Sequence, residues 1–111
     1  MNESNIQKSI QQWVIGKGGY CIKLHGNAFT KSGEPDLIGG FYVPNVVGSD
    51  YLTYLTRLPF VVETKMPGKQ PRRLQEVKLQ LWADAGFAPF VVSSLTEFID
   101  RLGEYVDVST L

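Results

Sequence analysis

One cysteine and one histidine in 111 residues remove whole classes of chemistry before any motif is read. Cys21 has no partner for an internal disulfide, and no CxxC zinc pattern exists. It sits in an apolar, strand-like run and reads as an inert core thiol. A histidine metal cluster or a Ser-His-Asp triad would rest on His25 alone. Net charge is absent too: 11 Lys and Arg balance 11 Asp and Glu. That excludes a histone-like, generally basic nucleic-acid binder, though not a local basic patch. No apolar run is long enough to cross a bilayer, and the opening MNESNIQKS is too polar for a signal peptide. The expectation is a soluble, cytoplasmic protein without a membrane partner. Nor are there repeats, low-complexity tracts or linkers. A hydrophobic fraction of 43% and a charged fraction of 20% suit one globular domain over residues 1–111.

The balanced charge is unevenly spread. Residues 63–80 hold Lys65, Lys69, Arg72, Arg73 and Lys78 against Glu63 and Glu76, an excess of three positive charges. Residues 81–111 hold Asp84, Glu97, Asp100, Glu104 and Asp107 against Arg101, an excess of four negative ones. An anionic partner would meet the first segment.

Hydrophobic periodicity orders the chain as helix, three strands, helix, strand, helix. Residues 3–15 read as a helix capped by Asn2, with Ile6, Ile10, Trp13 and Val14 at helical spacing and Gly16, Gly18 and Gly19 at its end. Glu3 lies on the side of Ile6, Gln7 and Ile10; it either complements the helix dipole or turns inward. Residues 19–25 read as a first strand, and GNAFTKSGEP as a loop. DLIGGFYV, residues 36–43, reads as a second strand whose glycine pair marks a bulge or a close approach. A third strand covers residues 58–64. The connection over residues 44–57, with Tyr51, Leu52, Tyr54 and Leu55, is long for a hairpin and is a candidate subunit contact. Residues 71–85 read as a second helix with Pro71 at its first position and an apolar stripe of Leu74, Val77 and Leu81, Leu79 and Trp82 beside it. Residues 88–93 make a fourth strand. Ser94 and Glu97 form a capping box for a last helix, with Leu95, Phe98, Ile99 and Leu102 facing the core. Three adjacent strands and a helical crossover to a fourth predict an α/β fold, a mixed sheet with helices on both faces.

The third strand ends in FVVETK. Residues two apart on a strand share a face, so Glu63 and Lys65 point the same way. One reading is a strand running into solvent with a weak ion pair. The other is a reaction centre. SGEPDLIG places Asp36 at the mouth of the second strand, and if the two strands are neighbours, Asp36 can approach Glu63. Two carboxylates held together repel unless a cation lies between them. Magnesium suits such a pair, since it takes oxygen ligands, usually one or two carboxylates, and keeps water and substrate phosphate as the rest. The Thr64 carbonyl could add an oxygen. Lys65 would orient the attacking water and offset developing negative charge.

A Pro-Asp followed at a distance by Glu-x-Lys, in this order of elements, resembles the PD-(D/E)xK nuclease superfamily. Finer features are similar to its VRR-NUC family: NESNIQKSI at the start, Lys23-Leu24, G-x-P-D-L-I at Gly33–Ile38, V-E-T-K-x-P-G at Val62–Gly68 and Leu74-Gln75 in the next helix. The match runs from residue 3 to about residue 93. The resemblance implies a restriction-endonuclease-like core and a metal-dependent endodeoxyribonuclease using Mg2+ or Mn2+. It implies a standalone homodimer of phage or bacterial type that acts in a bacterial or phage-infected cell and hydrolyses phosphodiester bonds in branched DNA such as four-way junctions. Carried over by position, Asp36 and Glu63 are the metal ligands, with the Thr64 carbonyl, and Lys65 is the catalytic lysine. Glu3 is the first-helix acid, reaching the metal directly or through water, and Gln75 lies near the scissile phosphate or holds Lys65. The chain departs from the family at the long 44–57 connection and at Thr64, whose side chain is expected to point away from the site with little consequence.

Other roles stay open at this level. Lys69, Arg72 and Arg73 either grip phosphates beside the cut or solvate a helix start, and Lys23 is either a DNA contact or a surface lysine. Tyr51, Tyr54 and Trp82 suit packing better than base stacking, and His25 suits a strand-end cap better than a DNA contact. The alternative function is a non-cutting module for branched DNA, or a nuclease subunit dependent on a larger repair or helicase assembly.

Overall fold

The structure, a computed structural model, describes residues 2–24, 33–44 and 55–111. His25, Tyr51, Tyr54 and most of the 44–57 connection, named above as DNA-contact, packing or subunit-contact candidates, lie outside the described residues. The elements run α1 (Glu3–Gly16), β1 (Tyr20–Lys23), β2 (Leu37–Pro44), β3 (Leu55–Thr64), α2 (Arg73–Asp84), β4 (Ala88–Val92) and α3 (Leu95–Leu102). The described strands form one sheet in the order β1-β2-β3-β4. The β1–β2 and β2–β3 pairs are antiparallel, and β3–β4 is parallel. This is the mixed sheet the sequence predicts. The parallel pair follows from α2, which carries the chain back between β3 and β4.

Local signals place most boundaries. The Asn2 side chain accepts from the Asn5 N–H at 2.8 Å and starts α1. The Ser94 hydroxyl accepts from the Glu97 N–H at 3.0 Å and starts α3. Pro71 is not the first residue of α2. Arg72 is the extended cap, and the Gln75 side-chain oxygen reaches back to accept its N–H at 2.9 Å, so the helix begins two residues later than the proline suggests. The β3 strand starts earlier than periodicity indicates, pairing Leu55 with Pro44 and Arg57 with Tyr42. Pro59 lies within it because β4 joins only from Phe60 onward, so that edge is open where the proline lacks an N–H.

One sheet face carries the core. Cys21, Leu37, Phe41, Phe60, Val62, Ala88, Phe90 and Val92 meet Ile6, Ile10 and Val14 of α1 and Phe98 and Leu102 of α3, all buried. Aromatic contacts run through it, from Trp13 to Phe41, Phe60 and Phe98. Gly39 is needed where it stands. A Cβ there would overlap the Tyr20 carbonyl oxygen and lie 2.8 Å from the Phe60 ring, while the register on both sides continues without a bulge. Of the glycine pair, Gly39 thus marks a close approach, while a Cβ at Gly40 would make only ordinary contacts.

The other face is more thinly covered. There α2 turns Gln75, Leu79 and Trp82 toward the protein, with the Trp82 ring against Phe87. The stripe of Leu74, Val77 and Leu81 does not face the sheet: these side chains are 46%, 40% and 57% exposed. Tyr20, Ile22 and Tyr42 are exposed as well. No helix among the described residues is long and apolar enough to cross a membrane.

Candidate active site

Antiparallel register sets the geometry. Leu37 pairs with Val62, which brings Asp36, one residue ahead of the paired strand, to the end of β3 beside Glu63. The Asp36 N–H donates to the Val62 carbonyl at 2.9 Å, and its own carbonyl accepts from Leu24 at 2.8 Å, which fixes the residue at the mouth of β2. Glu63, one residue before the end of β3, is 2% exposed. Lys65 lies just beyond, its N–H bonded to the Val92 carbonyl at 3.0 Å. Its ammonium is 3.8 Å from Glu63 Oε2, on the same side as the strand alternation requires. From the first turn of α1, Glu3 Oε2 accepts the Met66 N–H at 3.2 Å. Helix α1 thereby brings a third carboxylate to the end of β3.

Glu63 is held in its acid form. Burial drives its pKa from 4.5 up to about 8, and the hydrogen bond to Asp36 together with the charges of Asp36 and Glu3 push the same way against Lys65. Glu63 Oε1 is buried and has no hydrogen-bond partner among the described residues. An orphaned buried carboxyl oxygen beside a second carboxylate is the donor set that a hard divalent cation fits. No three His, Cys, Asp or Glu side chains among the described residues converge as a ligand set by themselves. The fit is therefore to an ion taking two carboxylates and completing its shell with backbone oxygen, water and substrate.

A solved structure described as a VRR_NUC domain matches this one with a TM-score of 0.66, over 94% of this chain and 97% of its own, at 24% identity. The chain has the fold of a VRR_NUC domain. Comparison with family models and with curated proteins gives no match.

On this VRR_NUC fold, Asp36, Glu63, Thr64, Lys65 and Glu3 come together. Gln75 is buried at the start of α2, with its oxygen committed to the Arg72 N–H. Lys23 closes β1 opposite Leu37, half-buried and one residue from the level of Asp36. Lys69, Arg72 and Arg73 are exposed around the start of α2, and Arg73 stands 3.8 Å from Glu76.

Thr64 departs from expectation. Its side chain does leave the face of Glu63 and Lys65, but it does not leave the site. The Thr64 hydroxyl and N–H both donate to Asp36 Oδ2, each at 2.8 Å. Asp36 precedes the paired part of β2, so its side chain reaches the end of β3 from outside the alternation. The same hydroxyl accepts from Gln7 Nε2 at 2.9 Å. Gln7 is the residue that sequence reading missed. The available signal was a polar side chain on the buried stripe between Ile6 and Ile10, one turn after Glu3.

Proposed function

We propose that the chain is a VRR-NUC nuclease that hydrolyses phosphodiester bonds of DNA with a divalent cation, Mg2+ or Mn2+, at Asp36 and Glu63. The observation that carries this reading is the buried Glu63 carboxyl beside Asp36, with the Lys65 ammonium 3.8 Å from Glu63. The Thr64 carbonyl and Glu3, directly or through water, would complete the protein's share of the ligands. A cation there would neutralise the pair, polarise a phosphate oxygen and make bound water nucleophilic near neutral pH.

The chain's own residues do the rest. Glu63 gives up its proton when its charge is matched. Lys65 sits where a single ammonium can orient the attacking water and offset charge growing on the phosphate. Gln75 holds the start of α2 beside the site, and its amide nitrogen is the part available to Lys65 or to a phosphate oxygen. Lys23, Lys69, Arg72 and Arg73 hold the DNA backbone on either side of the cut. A small domain with phosphate contacts and little surface for base edges favours recognition by shape. A branched substrate such as a four-way junction, engaged by a homodimer carrying two sites, fits that economy.

The test is cleavage of a labelled four-way junction and its matched linear duplex, with Mg2+, with Mn2+ and with chelator. The wild type should cut the junction faster, only with a cation. Lys65→Ala should lower the rate by roughly 10²-fold or more while DNA binding persists. Wild-type rates in that variant would remove Lys65 from the chemistry. A folded wild type that binds junctions and never cuts would return the chain to the binding module or the dependent subunit.

A further inference from the structure

Gln7 stands in the most buried part of α1, 6% exposed, between Ile6 at 1% and Ile10 at 0%. Its Oε1 has no hydrogen-bond partner among the described residues. A leucine would fill this position without stranding a polar atom, and a stranded buried acceptor costs about 1–3 kcal/mol. Packing alone therefore does not explain the glutamine.

Its nitrogen does. A carboxamide nitrogen only donates, so in the 2.9 Å contact the Thr64 oxygen must accept. A hydroxyl has one proton. With its oxygen accepting from Gln7, that proton goes to Asp36 Oδ2 at 2.8 Å. The Thr64 N–H occupies the same carboxylate oxygen from the backbone. Two donors on Oδ2 lock the rotation of the Asp36 carboxylate and leave Oδ1 as the oxygen free for other partners. The chain of bonds runs from α1 through the end of β3 to the mouth of β2, joining residues 57 and 28 positions apart.

We infer that Gln7 and Thr64 are positioning residues: Gln7 orients the Thr64 hydroxyl, and Thr64 aims the Asp36 carboxylate at the cation. This inference rests on the metal centre proposed above, and it also makes a claim about the metal-free protein. Partners that orient metal ligands typically contribute 10- to 100-fold in affinity.

Two readouts test it without reference to cleavage. The first is Mn2+ binding by calorimetry. Thr64→Val should weaken binding by roughly 10-fold or more, and Thr64→Ser should restore most of it. Gln7→Met should weaken binding by several-fold in a protein that is no less stable. The double variant Gln7→Met with Thr64→Val should bind as Thr64→Val does, because Gln7 acts only through the hydroxyl. Unchanged affinity in Thr64→Val, or additive losses in the double variant, would overturn the relay. The second is the Gln7 side-chain amide resonance in metal-free protein. It should move in Thr64→Val and in Asp36→Asn, and stay nearly in place in Thr64→Ser. A resonance indifferent to both Thr64→Val and Asp36→Asn would overturn the relay whatever the protein does with cations. A wild type that binds no Mn2+ would overturn the cation part of the inference and the metal centre together, while the resonance still decides the relay.

Discussion

A carboxyl group that keeps its proton to about pH 8 makes the folded protein a proton sink. In the unfolded chain Glu63 releases that proton above its ordinary value of 4.5. Between pH 4.5 and 8 the folded state therefore binds more protons, and this contribution to stability falls as pH rises. It is whole below the unfolded value and gone above the folded one, a difference of at most about 5 kcal/mol. Metal-free protein should thus show a lower urea midpoint at pH 8 than at pH 5. Glu63→Gln should flatten the profile between those values, and Mg2+ should raise the wild-type midpoint at pH 8 by binding the native state alone. A wild-type midpoint that climbs from pH 5 to pH 8 would show that Glu63 ionises freely. The residue pattern around this group was legible only in part. Asp36, Glu63 and Lys65 follow from strand alternation and neighbouring strands, and Glu3 from helical spacing. The Thr64–Gln7 link does not follow from either, because Asp36 lies ahead of its paired strand and no periodicity governs where its oxygens turn.

At the level of elements, the caps and periods of α1, β4 and α3 decide their boundaries locally, since the Asn2 and Ser94 side chains each bond to the N–H three residues on. What the sequence could not show was the direction in which α2 presents its sides. Leu74, Val77 and Leu81 have the spacing of a core stripe, yet Gln75, Leu79 and Trp82 take the inner side. The helix rotation puts Gln75 on the inner side, where its oxygen also accepts the Arg72 N–H. The same rotation leaves Arg72 exposed after the turn in which the Lys69 N–H bonds to the Met66 carbonyl at 3.1 Å. Both cations therefore follow Lys65 on a short, ordered path. Lys69→Ala combined with Arg72→Ala should weaken DNA binding and reduce the slope of log affinity against log salt by about 0.9 for each phosphate no longer neutralised. Arg73→Ala should change the slope less, because its charge is already shared with Glu76 at 3.8 Å. An unaltered slope in the paired variant would make that segment a solvated helix start.

On the scale of the whole molecule, the proposed homodimer needs a surface, and the exposed stripe of α2 has the composition for one. Helix α2 carries Arg73 at one end and Asp84 at the other, on either side of Leu74, Val77 and Leu81. Two copies related by a two-fold axis across this stripe, with their helices antiparallel, would set Leu74 of one against Leu81 of the other. The basic end of each helix would then lie near the acidic end of its mate, which is the self-complementarity an isologous contact requires. One helix face is small beside the ~800 Å² per partner of a stable interface. The contact would have to extend over Tyr20, Ile22 and Tyr42, which are exposed on the same side of the sheet. Sedimentation should show a dimer at micromolar concentration, and Val77→Lys with Leu81→Lys should give a monomer. Because both side chains are exposed, the thermal midpoint measured at low concentration should barely move. If the stripe is the subunit contact, the same variant should bind a junction more weakly while cutting a short duplex at an unchanged rate per site. A dimer that survives both substitutions would place the contact elsewhere, and a wild type that is monomeric at all concentrations would leave two-site engagement of a junction without a physical basis.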